Sequence, residues 1–147
     1  MTQLPLAGRR VIELGTMVAA PFATHILSQL GAEVIKIEPP SGDTTRALVR
    51  GGPSGTFIAY NHGKKSLAIA LDTPDGLAVF RKLAATADVV MHNLSPSARS
   101  SAVIFSLRIA EGDRLCMTTS AVAASLRNTA RPSGVSSAMA RLFLPWL

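Results

Sequence analysis

Apolar positions in the first two-thirds of the chain fall into short runs that alternate with longer stretches of helical spacing. Arg10-Val11-Ile12-Glu13-Leu14 is a compact apolar run suited to a strand, and Gly15 and Thr16 punctuate its end. Ala23, Ile26, Leu27 and Leu30 then follow i, i+3, i+4, i+7 spacing, which predicts an amphipathic helix over residues 19–31. Pro21 suits its first turn and Gly31 its C-terminal cap. Residues 33–38 (EVIKIE) predict a second strand, closed by Pro39-Pro40-Ser41-Gly42-Asp43. Residues 42–56 are glycine-rich and are expected to run over the surface as a loop. Residues 66–71 (SLAIAL) predict a third strand. Thr73-Pro74 opens a helix over 74–87, with Thr73 as N-cap and a buried stripe of Phe80, Leu83, Ala84 and Ala87. Residues 88–92 predict a fourth strand, with Asn93 and Leu94 beyond its carboxyl end.

Alternation of this kind predicts an α/β fold: a parallel sheet with right-handed crossovers and flanking helices. In open sheets of that class, ligands collect at the carboxyl ends of strands. Two segments occupy such ends, Thr16 to Pro21 and His92 to Ser97.

Composition sets outer bounds. At 147 residues the chain has the length of one domain, and 48% hydrophobic against 16% charged residues argues for a packed core rather than disorder. Aromatics contribute only 5%, so aliphatic and alanine packing must carry the core. The net charge of +6 is modest support for an anionic partner and specifies none. The single cysteine, Cys116, excludes an internal disulfide framework and reads as a packing residue or free thiol. No signal peptide or membrane-spanning run stands out, so the expected location is cytoplasmic, without membrane insertion.

Generic motifs add little. No G-x-G-x-x-G follows the first strand, and Gly63-Lys64-Lys65-Ser66 departs from a phosphate-binding loop at two positions. His25, His62 and His92 lie far apart in sequence without metal-ligand spacing, and no metal site is expected. Asp72 and Asp75 flank a helix start, where the dipole favours acids.

Six blocks, however, occur in the order and spacing of a known family. Leu6-Ala7-Gly8-Arg9-Arg10-Val11-Ile12-Glu13-Leu14 opens the series. Ala20-Pro21-Phe22-Ala23 follows, running on to Leu30-Gly31-Ala32-Glu33-Val34-Ile35-Lys36-Ile37-Glu38. Then come Gly42-Asp43-Thr44-Thr45-Arg46, Asn61 to Ser66, Thr73-Pro74-Asp75-Gly76, and Ala87-Asp88-Val89-Val90 with Asn93-Leu94. Together they resemble the N-terminal part of the class III coenzyme A transferases, the CaiB/BaiF family, over about residues 4–99.

The resemblance implies a Rossmann-like domain, incomplete relative to the family fold, with coenzyme A or an acyl-CoA as substrate and no covalently bound cofactor. It places CoA contacts at Met17, Val18 and Ala19 after the first strand, Ile69 and Asp72 near the third, and Asn93 and Leu94 after the fourth. It also implies homodimers among full-length relatives; no nucleic-acid partner is expected, because the arginines of the chain's end are scattered. Some members carry Gln where Val18 stands, a basic residue where Pro39 stands, and Gly where Ala20 stands. The implied reaction is transfer of CoA between an acyl-CoA and a carboxylic acid. Alternatives are a 2-methylacyl-CoA racemase-like protein and a noncatalytic CoA- or partner-binding module. Family transferases use a downstream Asp nucleophile, and racemases a downstream His with an acid. No residue here stands in matching sequence for either set, so no catalytic residue is carried over.

Beyond Arg99 the pattern changes. Where the family would continue with Arg and then Leu-Gly, the chain has Ser101-Ala102-Val103. Ser, Ala and Arg dominate residues 100–147, where every basic residue is Arg. The expected organisation is a family portion, 1–99, and a divergent tail, 100–147. Three accounts of that tail stand open: a frameshifted or mis-joined end, a natural short paralogue, and an Arg-rich arm. Its arginines are scattered rather than clustered, which weakens the last.

Overall fold

The computed structural model of the protein describes residues 3–49, 51–94 and, for their backbone, 115–118. Five strands form one sheet: β1 (Arg10–Leu14), β2 (Glu33–Glu38), β3 (Lys65–Ala68), β4 (Val89–His92) and β5 (Leu115–Thr118). Their spatial order is β3-β2-β1-β4-β5, and all four pairings are parallel. Three helices accompany them: α1 (Ala19–Gln29), α2 (Gly55–Asn61) and α3 (Pro74–Ala84).

Side-chain alternation along β1 sorts the core into two faces. Val11 packs with Ala20, Leu27, Val34, Val89 and Met91 on the α1 side. Ile12 and Leu14 pack with Ile37, Leu77, Phe80, Ala84 and Val90 on the α3 side. The two layers of helix cover both faces of β1, β2 and β4, as parallel sheets require, while β3 at the edge stays largely exposed. Glu13 and Lys36 are register partners on β1 and β2, in the middle of this apolar frame.

The expected strands at 10–14 and 33–38 appear with those bounds, and the fourth starts one residue late, at Val89. The third is shorter than expected. Ile69 still donates its N–H to the Glu38 carbonyl, at 2.9 Å, but the Ala70 carbonyl then accepts from the Thr73 N–H and closes a turn. The first helix stops at Gln29, and Gly31, with φ +99°, takes the left-handed position that reverses the chain into β2. The α3 helix is capped as expected, Thr73 Oγ1 accepting from the Gly76 N–H. It ends at Ala84, and tighter turns through Thr86 and Ala87 lead into β4.

The stretch expected to be a surface loop is more ordered than that. A 3-10 turn spans Thr44–Ala47, and α2 begins where the Ser54 hydroxyl accepts from the Phe57 N–H. Asp43 and Thr45 are buried rather than solvated. Strand β5 lies inside 100–147 and pairs with β4 from Val89↔Leu115 to His92↔Thr118.

Candidate ligand site at the strand ends

Strand order reverses between β1 and β4, and this is where an open parallel sheet leaves a crevice beyond its carboxyl ends. One lip is the turn from β1 into α1, residues 15–18. The other is Asn93-Leu94. The Asn93 side chain ties them together. Its Oδ1 accepts from the Thr16 N–H at 2.9 Å, and its Nδ2 donates to the Thr16 carbonyl at 2.7 Å.

The turn is tight and strained. A Cβ on Gly15 would stand 2.5 Å from the Ala20 Cβ and 3.0 Å from the Pro21 Cδ, closer than side chains pack. Met17 holds φ +62°, the left-handed region that non-glycine residues seldom enter. Met17 and Val18 are about half exposed, at 48% and 46%. The Thr44 hydroxyl, from the neighbouring 3-10 turn, reaches the Met17 sulfur at 3.8 Å. Helix α1 then starts without a side-chain cap and without an acidic residue in its first turn. Its leading N–H groups and dipole therefore face the crevice as a locally positive end.

Beneath this turn lies a cluster of buried charges. Lys36 Nζ pairs with Glu13 Oε1 at 2.9 Å and Asp43 Oδ2 at 2.8 Å. Lys64 Nζ pairs with Glu13 Oε2 at 2.7 Å. All four side chains are at most 1% exposed. Burial works to lift the Asp43 carboxyl, but the Lys36 ammonium and the Thr45 hydroxyl and N–H outweigh it and hold its pKa below the ordinary value. Burial has the upper hand on Lys64, whose pKa falls despite the Glu13 carboxylate.

A second acid flanks the cluster. Glu38 accepts two hydrogen bonds from Arg46 at 2.7 Å each, one from Ser66 at 2.6 Å and one from the Asp43 N–H at 2.8 Å. Burial again pushes upward, yet these donors bring the Glu38 pKa down to about 2. Arg46 also stacks over the Phe57 ring at 3.9 Å, which fixes the 3-10 turn against α2. His25 and His62 lie together with ring centroids 5.4 Å apart, joining α1 to the end of α2. Burial, His62 and Lys64 all lower the His25 pKa.

Asn93 ties the end of β4 to the turn that carries Met17, Val18 and Ala19, while the Leu94 side chain packs against the α3-side core. Ile69 and Asp72 belong to the far side of β2, beyond the end of β3. The Ile69 side chain packs against the α3-side core, and Asp72 is exposed beside the α3 cap. Sequence reasoning marked Thr16 only as the start of a strand-end segment and passed over the Glu13–Lys36–Lys64–Asp43 cluster. A signal was present: Glu13 and Lys36 each interrupt an otherwise apolar strand. Cys116 and the segment Ser95 to Ser97 fall where no side chain is described. Among the described residues, no group of three or more His, Cys, Asp or Glu could hold a metal ion. No helix among them is long and apolar enough to cross a membrane.

The model of CoA-transferase family III matches residues 6–108. The chain belongs to CoA-transferase family III. A succinate–glutarate CoA-transferase from Agrobacterium fabrum is 44% identical over 102 residues, covering 60% of this chain and 25% of that protein. The human succinyl-CoA:glutarate CoA-transferase is 40% identical over 101 residues, covering 66% of this chain and 23% of its own length. A CaiB/BaiF family protein of known structure from Brucella suis superposes with a TM-score of 0.72 at 32% identity. That match covers 80% of this chain and 33% of the other. This family III chain thus spans about a quarter of the length of the curated relatives it matches. The family match extends past residue 99, and the sheet continues to Thr118.

Proposed function

We propose that this chain forms the CoA-binding half-site of a class III CoA-transferase, holding an acyl-CoA across the β1/β4 crevice. The carrying observation is the Asn93 clamp on Thr16, which joins the two lips at the point where strand order reverses. The Met17–Ala19 backbone and the uncapped α1 N-terminus suit an anionic pyrophosphate. The exposed Met17 and Val18 side chains suit the apolar parts of the ligand.

The named relatives transfer CoA between carboxylic acids, which supports transfer over racemisation as the family activity of longer chains. In that chemistry an enzyme carboxylate attacks the thioester carbonyl and releases the CoA thiolate, forming a mixed anhydride; the thiolate then attacks the enzyme's own acyl carbon, the anhydride C–O bond breaks, and the donor leaves as a carboxylate while the enzyme keeps CoA as a thioester. No residue of this chain is assigned the nucleophile's role. This reading therefore expects CoA binding without turnover. It keeps the homodimer of longer relatives and a cytoplasmic location as part of the same proposal.

The test is calorimetric titration of the 147-residue chain with CoA, paired with an acyl-CoA exchange assay on the same preparation. Saturable CoA binding with no exchange supports the reading. Absence of binding removes the half-site, and robust turnover shows that the chain contains a nucleophile of its own.

A further inference from the structure

The four buried charges interlock with one another and with the backbone. An ammonium carries three N–H donors. Lys36 Nζ donates to Glu13 Oε1 at 2.9 Å and to the Gly15 carbonyl at 2.7 Å, and forms an ion pair with Asp43 Oδ2 at 2.8 Å. Lys64 Nζ has three acceptors: Glu13 Oε2 at 2.7 Å, the Pro21 carbonyl at 2.8 Å and Asn61 Oδ1 at 3.1 Å. Glu13 Oε2 accepts in addition from the Thr24 hydroxyl at 2.6 Å. Two lysines and two carboxylates balance in charge.

Such a cluster is a poor route to stability alone. Well-packed apolar side chains at buried ion-pair positions commonly give equal or greater stability. What apolar side chains cannot do is hold a backbone carbonyl. Here the two lysines grip the carbonyls of Gly15 and Pro21, which bracket the strained turn containing Met17. The opposite side of the cluster reaches a second segment. Asp43 Oδ1 accepts from the Thr45 N–H at 2.8 Å and its hydroxyl at 2.7 Å, and so initiates the 3-10 turn whose Thr44 contacts Met17.

The geometry points to Lys36 and Lys64 as positioning residues that fix the Gly15–Pro21 turn by its carbonyls and, through Asp43, lock it to the Thr44–Ala47 turn. The two segments then present one preformed surface to a ligand. This inference rests on the strand ends being the CoA site, but its structural half can be read without any ligand.

The decisive variant is Asp43→Asn. It retains an acceptor for Thr45 while removing the charge that reaches Lys36, and it touches no atom of the 15–21 turn. A matched control is Thr86→Val, which removes the hydroxyl accepting from Arg10 at 2.9 Å at the other end of the sheet. Amide hydrogen exchange is followed at Thr16 and Phe22, whose N–H groups bond the Asn93 amide oxygen and the Val18 carbonyl, and at the strand residues Val11–Leu14, together with the unfolding midpoint and CoA titration. In Asp43→Asn the turn amides should exchange about tenfold faster while strand amides keep their protection, and CoA affinity should fall by about the same factor. Thr86→Val should leave both turn exchange and affinity unchanged.

Equal acceleration at turn and strand amides in Asp43→Asn would overturn the proposal, since that is loss of global stability. Unaltered turn exchange would overturn it as well. If the wild-type chain binds no CoA, the ligand reading fails while the exchange comparison still decides the coupling. If Asp43→Asn does not fold, Lys36→Met/Asp43→Asn removes one charge of each sign and leaves the Glu13–Lys64 pair for the same comparison.

Discussion

Replacing Asn93 by Ala separates two roles that one side chain could play at the crevice. The amide makes both of its hydrogen bonds to one residue, at 2.9 Å to the Thr16 N–H and 2.7 Å to its carbonyl. An amide that faces CoA would be expected to spend at least one of these groups on the ligand. The Ala variant removes both bonds and leaves two backbone groups of a partly buried residue to find water. At about 1 kcal/mol for each net bond, the loss is about 2 kcal/mol in the absence of ligand. With a typical urea slope for a small domain, the unfolding midpoint should fall by about 1 M. CoA affinity should fall too, through the freed turn. The assay is urea unfolding followed by circular dichroism, with and without CoA. The Asp variant keeps the acceptor and loses the donor, so at neutral pH it should lie between wild type and Ala. Unchanged stability in Asn93→Ala combined with lost CoA binding would refute this reasoning and place the amide on the ligand instead.

Acid should act through Glu38. Its folded pKa of about 2 lies below its unfolded value, so the stability it contributes is complete above about pH 4.5 and is lost as pH falls towards 2. The size is about 3 kcal/mol, and Arg46→Gln should flatten urea midpoints measured across that window. Thr73→Ala removes the cap of α3, whose hydroxyl accepts from Gly76 at 3.1 Å, and should lower stability by about 1 kcal/mol in the same titration at neutral pH. Phe80→Ala empties a fully buried position on the α3 side and should cost about 3–5 kcal/mol, enough to threaten folding at 37 °C by thermal denaturation.

The elements legible in the sequence are those whose periodicity is enforced by burial. Strands β1, β2 and β4 carry apolar runs because both faces of a parallel sheet are covered, and α1 and α3 carry stripes because each covers one face. Helix α2 lacks that signal. Its seven residues are started by Ser54 and held by Phe22 against Tyr60 and Arg46 over Phe57, contacts that no local spacing encodes. Strand β5 was obscured because its stretch was judged by Ser, Ala and Arg bias, whereas a four-residue strand needs only a neighbour in register. Strand ends alone point to the crevice, and the expectation that it takes CoA rests on the resemblance. The charge cluster needed the fold itself: Glu13 and Lys64 stand 51 positions apart, and only the pairing of β1, β2 and β3 brings them to 2.7 Å.

That cluster also bears on how the site divides its labour. The contacts that shape the crevice come from β1, the turn after it, β2, the Asp43 turn, Lys64 and Asn93, all within residues 13–93. They interlock: Lys64 meets three acceptors, Lys36 meets two acceptors and the Asp43 carboxylate, and the clamp residue meets both partners on Thr16. The buried lysines hold the turn by its carbonyls whether or not a ligand is bound, so less conformational entropy remains to be lost on binding. Bond-breaking chemistry at a thioester needs something different, a carboxylate projected over the ligand from outside this frame. On the proposed reading, recognition of the CoA end and reaction at the acyl end are separable in space. Variants of the buried cluster in a longer family member should weaken CoA binding and leave the acyl preference where it was.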